Sequence, residues 1–443
     1  MAATGAETGP AVPPTGPGSG RRLGYRWTTV ALLFGALTVN YVDRQVLGIL
    51  APTLTRELHW SETDYSTIVS LWSVAYGVGL FLMGRVMDRV GVRRGLAGAV
   101  LAWSLAAMAH ALAFTVRGFG IARVCLGLAE AGNFPAAQKS IAEWFPKRER
   151  AFAFGVFNAG SNVGVILATL MVPWIALALG WRWAFVATGL LDLVVLGAWL
   201  AIYHAPEGHS RVTPAELALI RSDPPEPQGK VPYRSLFNRR QTWAFIVAKA
   251  MTDPVWLFYL FWLPKFLDAR WGVQLSRLAL PLIVIYLAAD VGSVMGGWTS
   301  SALIKRGWSI NVARKVTMLL AAVSIVPTIF APSAGSLWMA IAIVSVAAAA
   351  HQWWSANLYT LVSDMFPRQL VGSVTGIGGS AGLFAAFFFQ RATGSILETT
   401  GGNYAPVFAV LGFAYVSALL IVHLLVPRLE PAVIPSAAGT EGR

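Results

Sequence analysis

The chain has 443 residues, 56% hydrophobic and only 12% charged, with a formal net charge of +13. An ordinary soluble protein carries about 25% charged residues, whereas here apolar runs of about 20 residues, each enough to cross the roughly 30 Å hydrocarbon core, recur along the whole length. That excludes a soluble enzyme and, with no strand-like alternation, a β-barrel. The excess of arginine and lysine falls mainly in alternate loops, so it reads as topology and not as a nucleic-acid surface.

Residues 1–24, rich in Gly, Pro, Ala and Thr, have no apolar core and predict a disordered cytoplasmic tail and not a signal peptide. The first span is expected at about 27–50 and contains Asn40, Tyr41, Asp43, Arg44 and Gln45, a polar density that demands partners. Ser61-Glu62-Thr63-Asp64 reads as an N-cap for the second span, about 65–87. Tyr76 then falls mid-membrane among Ala75, Gly77 and Gly79, small residues that let helices approach closely.

A third span is expected at about 95–115 and a fourth at about 118–144. The fourth holds Arg123 and Glu130, seven residues apart. On an ideal helix that is roughly 10.5 Å and about 700° of turn, so the two charges share one face. Each costs roughly 2.5–3.5 kcal/mol at the bilayer centre on insertion scales, which marks a substrate or ion pathway. Cys125, the only cysteine, permits no internal disulfide and is expected to pack as a small apolar residue between helices. Span five carries Asn158 and Asn162 one turn apart, and span six ends near Tyr203.

Between 205 and 240 the composition shifts to Pro, Glu, Arg and Ser, a cytoplasmic linker. Within it Thr213, Pro214 and Glu216 predict a capped short helix. About six more spans follow, near 241–267, 276–301, 312–331, 335–361, 371–396 and 404–426. The expectation is an all-α membrane protein with twelve transmembrane helices in two six-helix bundles, 25–204 and 241–428, around a central cavity. A short cytoplasmic tail, 429–443, closes the chain. Basic loops put both termini in the cytoplasm.

The second half has its own polar groups. Lys249 and Asp253 are spaced i, i+4 and either neutralise each other or meet substrate. In HQWWSANLYTLVSDMFP, residues 351–367, His351, Gln352, Ser355 and Asn357 are substrate-binding candidates, interleaved with Trp353 and Trp354. Gln352, Ser355 and Tyr359 fall close to one stripe.

The loop GRVMDRVGVRR, 84–94, resembles that of the major facilitator superfamily, G-x-x-x-D-R-x-G-x-R/K-R/K, at every specified position. By that resemblance Asp88 caps a neighbouring helix N-terminus, the eleventh span's, and gates with Arg89. NYVDRQ, ARVCLGLAEAGNFPAA, K-x-x-x-D-x-x-W with FWLPKFL, and the 351–367 segment are similar to the anion:cation symporter branch, and within it to bacterial hexuronate transporters. The resemblance implies a symporter importing an organic anion across the bacterial inner membrane. In galactonate carriers of this branch the matching arginines, here Arg44 and Arg123, bind the substrate carboxylate. The matching acids, here Asp43 and Glu130, carry protons. Related carriers also use an asparagine on helix eleven, where this chain offers Ser380.

Tyr76, Asn162, Lys249 and Asp253 complete the expected substrate site. A carboxylate arriving on Arg44 or Arg123 would weaken the hold of that cation on Asp43 or Glu130, so substrate entry favours proton uptake, and the reverse. No P-loop, zinc-ligand cluster or nucleophile elbow stands in a suitable context, so no enzyme, no ATP drive and no cofactor beyond the coupling proton are expected. The expected partners are a small anion, a hexuronate, and the lipid bilayer, with a monomer as the working unit. Alternatives are a carrier of an aldonate, aldarate or other small carboxylate, or a transporter-like sensor.

Overall fold

A computed structural model describes residues 24–207, 209–222 and 233–432. Most of the expected tails 1–24 and 429–443, namely residues 1–23 and 433–443, and the middle of the linker lie outside the described residues. The chain is helical throughout these segments. In the first half run α1 (Arg26–Glu57), α2 (Glu62–Val90), α3 (Val92–Ala109), α4 (Val116–Glu130), α5 (Asn133–Trp144), α6 (Lys147–Leu179) and α7 (Trp181–Ile202). Two short helices, α8 (Pro214–Ile220) and α9 (Tyr233–Phe237), lie in the linker. The second half holds α10 (Arg240–Phe261), α11 (Leu263–Trp271), α12 (Ala279–Lys305), α13 (Ile310–Ile325), α14 (Leu337–Met365), α15 (Arg368–Thr399) and α16 (Ala405–Leu425).

Among the described residues, ten helices are long and apolar enough to cross a membrane. The expected first and fourth spans are not among them. The first, α1, carries the dense polar stretch around Asp43, and the fourth is split into α4 and α5. The split has a local cause: Pro135 has no N–H to give Ala131, so α4 stops at Glu130 and α5 starts at Asn133. The same device divides α10 from α11. Pro264 has no N–H for Leu260, and α10 ends at Phe261, whose carbonyl accepts from the Tyr65 hydroxyl.

Within the first half α1 packs on α6 and α7, α2 on α4, and α3 on α4 and α7. Within the second, α12 packs on α14, and α10 on α15 and α16. The halves touch through α2 with α15, α6 with α12, and α1 with α11. One group of their polar contacts lies where α1 turns into α2. Lys265 donates to both Glu62 carboxylate oxygens at 2.7 and 2.8 Å. The Thr63 backbone N–H donates to Glu398 at 3.2 Å, and Arg391 donates to the Thr67 hydroxyl.

The caps follow the sequence with one difference. Ser61 and Asp64 form the reciprocal capping box at the start of α2. Thr213 accepts from the Glu216 N–H at 3.2 Å, as expected, but the Glu216 carboxylate turns away from its own helix. It accepts from the backbone N–H groups of Tyr25 and Arg26, both at 3.0 Å, so an anion caps α1, where the helix dipole favours one. Cys125 is also placed differently from the expectation. It is exposed, on the face of α4 that points away from the packed helices.

Candidate functional site

The polar stretch of α1 finds its partners inside the first half. Arg44 is 5% exposed, donates to Asn40 Oδ1 at 3.1 Å and pairs with Glu130 Oε2 at 3.4 Å. Three aromatic rings surround its guanidinium, Tyr41 at 4.3 Å, Trp72 at 4.6 Å and Tyr76 at 4.8 Å. Such contacts are worth about 2 kcal/mol or more when desolvated, which helps hold a cation away from water. Trp72 Nε1 also donates to Glu130 Oε2 at 3.0 Å. Glu130 is therefore held by one charge-assisted pair and one indole donor at the very end of α4.

Glycine at the contact of α4 with α2 allows this. A Cβ at Gly127 would stand 2.8 Å from the Trp72 carbonyl oxygen, closer than carbon and oxygen can approach. Its absence lets α4 lie against α2 and brings Glu130 under Trp72.

Arg123, one face with Glu130 and two turns earlier, is 1% exposed, and none of its three guanidinium nitrogens makes a hydrogen bond. Its electrostatic neighbours are Glu130, Tyr65, Asp43 and Arg44. Asp43 points about 100° round α1 from Arg44, as adjacent helical residues do, and adjoins Asp192 of α7.

In the second half Lys249 donates to Tyr359 at 3.0 Å and pairs with Asp253 at 2.7 Å. His351 stacks on Trp256 with ring centres 4.9 Å apart and bonds the Tyr415 hydroxyl. The two polar sets are joined: Gln45, beside Arg44, donates to the Tyr286 hydroxyl at 3.0 Å, and Tyr286 meets the edge of Trp256. Asn162 of α6 donates to Asp290 of α12, a second polar bridge between halves.

A family profile described as the Major Facilitator Superfamily matches residues 33–390. The chain belongs to that superfamily. This transporter, not an enzyme, is 32% identical over 418 residues to the hexuronate transporter of Escherichia coli K12, covering 93% of this chain and 96% of that one. It is also 32% identical over 306 residues to the galacturonate transporter of Dickeya chrysanthemi, covering 68% and 88%. In fold it resembles the crystal structure of a D-xylose–proton symporter, with a TM-score of 0.73 at 17% identity over 93% of this chain and all of the other.

Among the expected site residues of the transporter, Asp43, Arg44, Tyr76, Arg123 and Glu130 converge in one buried group. Lys249, Asp253 and His351 form a second. Lys249 and Asp253 neutralise each other, one of the two arrangements their spacing permits. Gln352 and Ser355 are half-buried on α14. Asn357 does not join them. Its amide donates to the carbonyls of Gly296 and Trp353 at 2.9 and 3.0 Å, and so it ties α14 to α12. Asn158 is exposed, apart from Asn162.

Asp88 does not cap α15 in this structure. It is exposed and accepts from Lys139 of α5 at 3.0 Å, within its own half. Arg89 is exposed beside it. Sequence reasoning missed Trp72, Asp192 and Asp290. The signal for Asp192 was present, since it stands alone among apolar residues of a span, where a charge marks function by default.

Proposed function

We propose that the chain is a proton-coupled symporter that imports a hexuronate across the bacterial inner membrane by alternating access. The observation that carries this is Arg123, a deeply buried cation whose guanidinium makes no hydrogen bond, standing beside the Arg44–Glu130 pair. A planar guanidinium offers a carboxylate two parallel donors. The likeness to hexuronate and galacturonate transporters supports the choice of sugar acid.

In this reading α1 and the broken α4–α5 join the ten long helices to make twelve spans in two bundles, with a cytoplasmic linker and cytoplasmic termini. The arginines and lysines of alternate loops support that orientation. The closed end, with Lys265 on Glu62, then faces outward, and the structure stands in an inward-facing state. A substrate carboxylate on Arg123 competes with Glu130 and Asp43 for positive charge, and a proton on either acid removes the competition. Substrate and proton therefore bind together, and the neutralised group lets the bundles rock. The unit is a monomer, and the proton is the only coupling ion.

The test is uptake of labelled glucuronate into proteoliposomes with and without an inward proton gradient. Unlabelled galacturonate, galactonate and glucarate serve as competitors. Gradient-driven accumulation blocked best by galacturonate is the expected result. Accumulation without any gradient dependence would remove proton coupling, and competition only by galactonate or glucarate would replace the hexuronate by an aldonate or aldarate.

A further inference from the structure

The proposed function uses Glu130 and Asp43 but leaves Asp192 without a role. Asp192 is fully buried on α7, one turn after Thr188, and its carboxyl adjoins that of Asp43 on α1. Thr188 and Trp103 stand beside the two carboxyls, but no donor meets any of the four carboxylate oxygens with full hydrogen-bond geometry. Ionised carboxylates only accept, so two of them side by side cannot satisfy each other. A proton on one turns it into a donor for the other.

The charge count points the same way. Asp43, Asp192 and Glu130 bring three negative charges to this buried group, and Arg44 and Arg123 bring two positive ones. The other groups facing it are Tyr65, Tyr41, Tyr76 and His110, with His110 Nδ1 donating to the Ala106 carbonyl at 2.8 Å. None of these neighbours supplies a balancing charge as a neutral phenol or imidazole. An uncompensated buried charge is costly, and one proton brings the group to neutrality. A bound carboxylate on Arg123 would return the count to one negative charge and call for a second proton.

We propose that Asp43 and Asp192 form a carboxyl–carboxylate dyad that holds one proton between them beside Arg123. As a coupling site the dyad rests on the symport reading, while the shared proton itself does not. Two carboxyls that share one proton act as a pair and not as separate acids.

The experiment is an infrared difference titration of the purified full chain in liposomes, comparing the parent with Asp192→Asn, Asp43→Asn and Glu130→Gln. The expected result is a protonated-carboxyl C=O band at neutral pH that both aspartate variants lose and that differs from any band removed by Glu130→Gln. Size-exclusion profiles identify a variant that fails to fold, and either aspartate variant alone suffices because both must lose the same band. Retention of the parent band in a folded aspartate variant overturns the dyad. So does a band that sodium abolishes, which would mean a metal cation sits between the carboxylates.

Uptake is measured on the same preparations. Asparagine at 192 can donate to Asp43 and removes a like charge, so the pH profile of gradient-driven uptake is expected to move acidward by about one unit or more. An unmoved profile overturns the dyad's part in coupling. Parent uptake that ignores the gradient while the band persists removes the symport reading and leaves the shared proton standing.

Discussion

Replacing Lys265 by methionine tests whether the contacts at the α1–α2 end hold the transporter closed there. Methionine keeps much of the lysine stem, including its packing beside Tyr65 and Trp262, whose ring centres lie 4.9 and 5.7 Å from the ammonium. What it removes is a two-oxygen ion pair to Glu62 in which the lysine is 6% exposed and the glutamate 27%. A hydrogen bond to a charged group contributes about 1.5–3 kcal/mol. Glu62 retains some access to water once unpaired, so the loss is set at about 2 kcal/mol and not at the larger cost of stranding a fully buried charge. At 1.36 kcal/mol per factor of ten, that multiplies the ratio of outward-open to closed conformers by about 30. A conformer present at about one part in a hundred would rise to about one in four. Spin labels at positions 117 and 400, both exposed and in different halves, report the change as a longer distance component in a background lacking Cys125. A distance distribution that superimposes on the parent's would refute the reasoning, and Lys265→Arg, which keeps the charge, should stay close to the parent.

Glu130→Gln keeps the shape under Trp72 but removes the charge opposite Arg44, and it should abolish accumulation against a gradient while leaving substrate exchange measurable; continued pH-dependent accumulation would remove Glu130 from coupling. Gly127→Ala drives a methyl into the Trp72 carbonyl, and at about 1–3 kcal/mol for overpacking it should lower the melting temperature in detergent. Asn357→Leu loses the hydrogen bond from α14 to the Gly296 carbonyl of α12, and one to Trp353 within α14, and should reduce stability without changing the substrate KM of the folded fraction. A raised KM would return Asn357 to the binding site.

The membrane class and the positions of most helices were legible in the sequence because apolar length and turn chemistry are local properties. The pairing of Arg123 with Glu130 on one face followed from helical geometry alone. Arg44 meeting Glu130 did not, since it depends on how α1 and α4 lie across α2, which Gly127 and Trp72 decide together. Asp192 was visible as an isolated charge, but its partner sits on α1, about 150 residues earlier and six helices away in the chain order, where no spacing rule reaches. The expected cap by Asp88 came from family likeness, and Lys139, one side chain on a neighbouring helix, takes that carboxylate in the state described here.

The clasp of Glu216 on the first residues of α1 has a consequence for how the chain is made. The two positions are 190 residues apart, and synthesis proceeds from the N-terminus. Helix α1 therefore enters the bilayer with its leading N–H groups unanswered by protein, and they remain so until all seven helices of the first half and the start of the linker have been translated. A chain cut just before α8 would contain every membrane helix of that half and still lack the piece that finishes its first one.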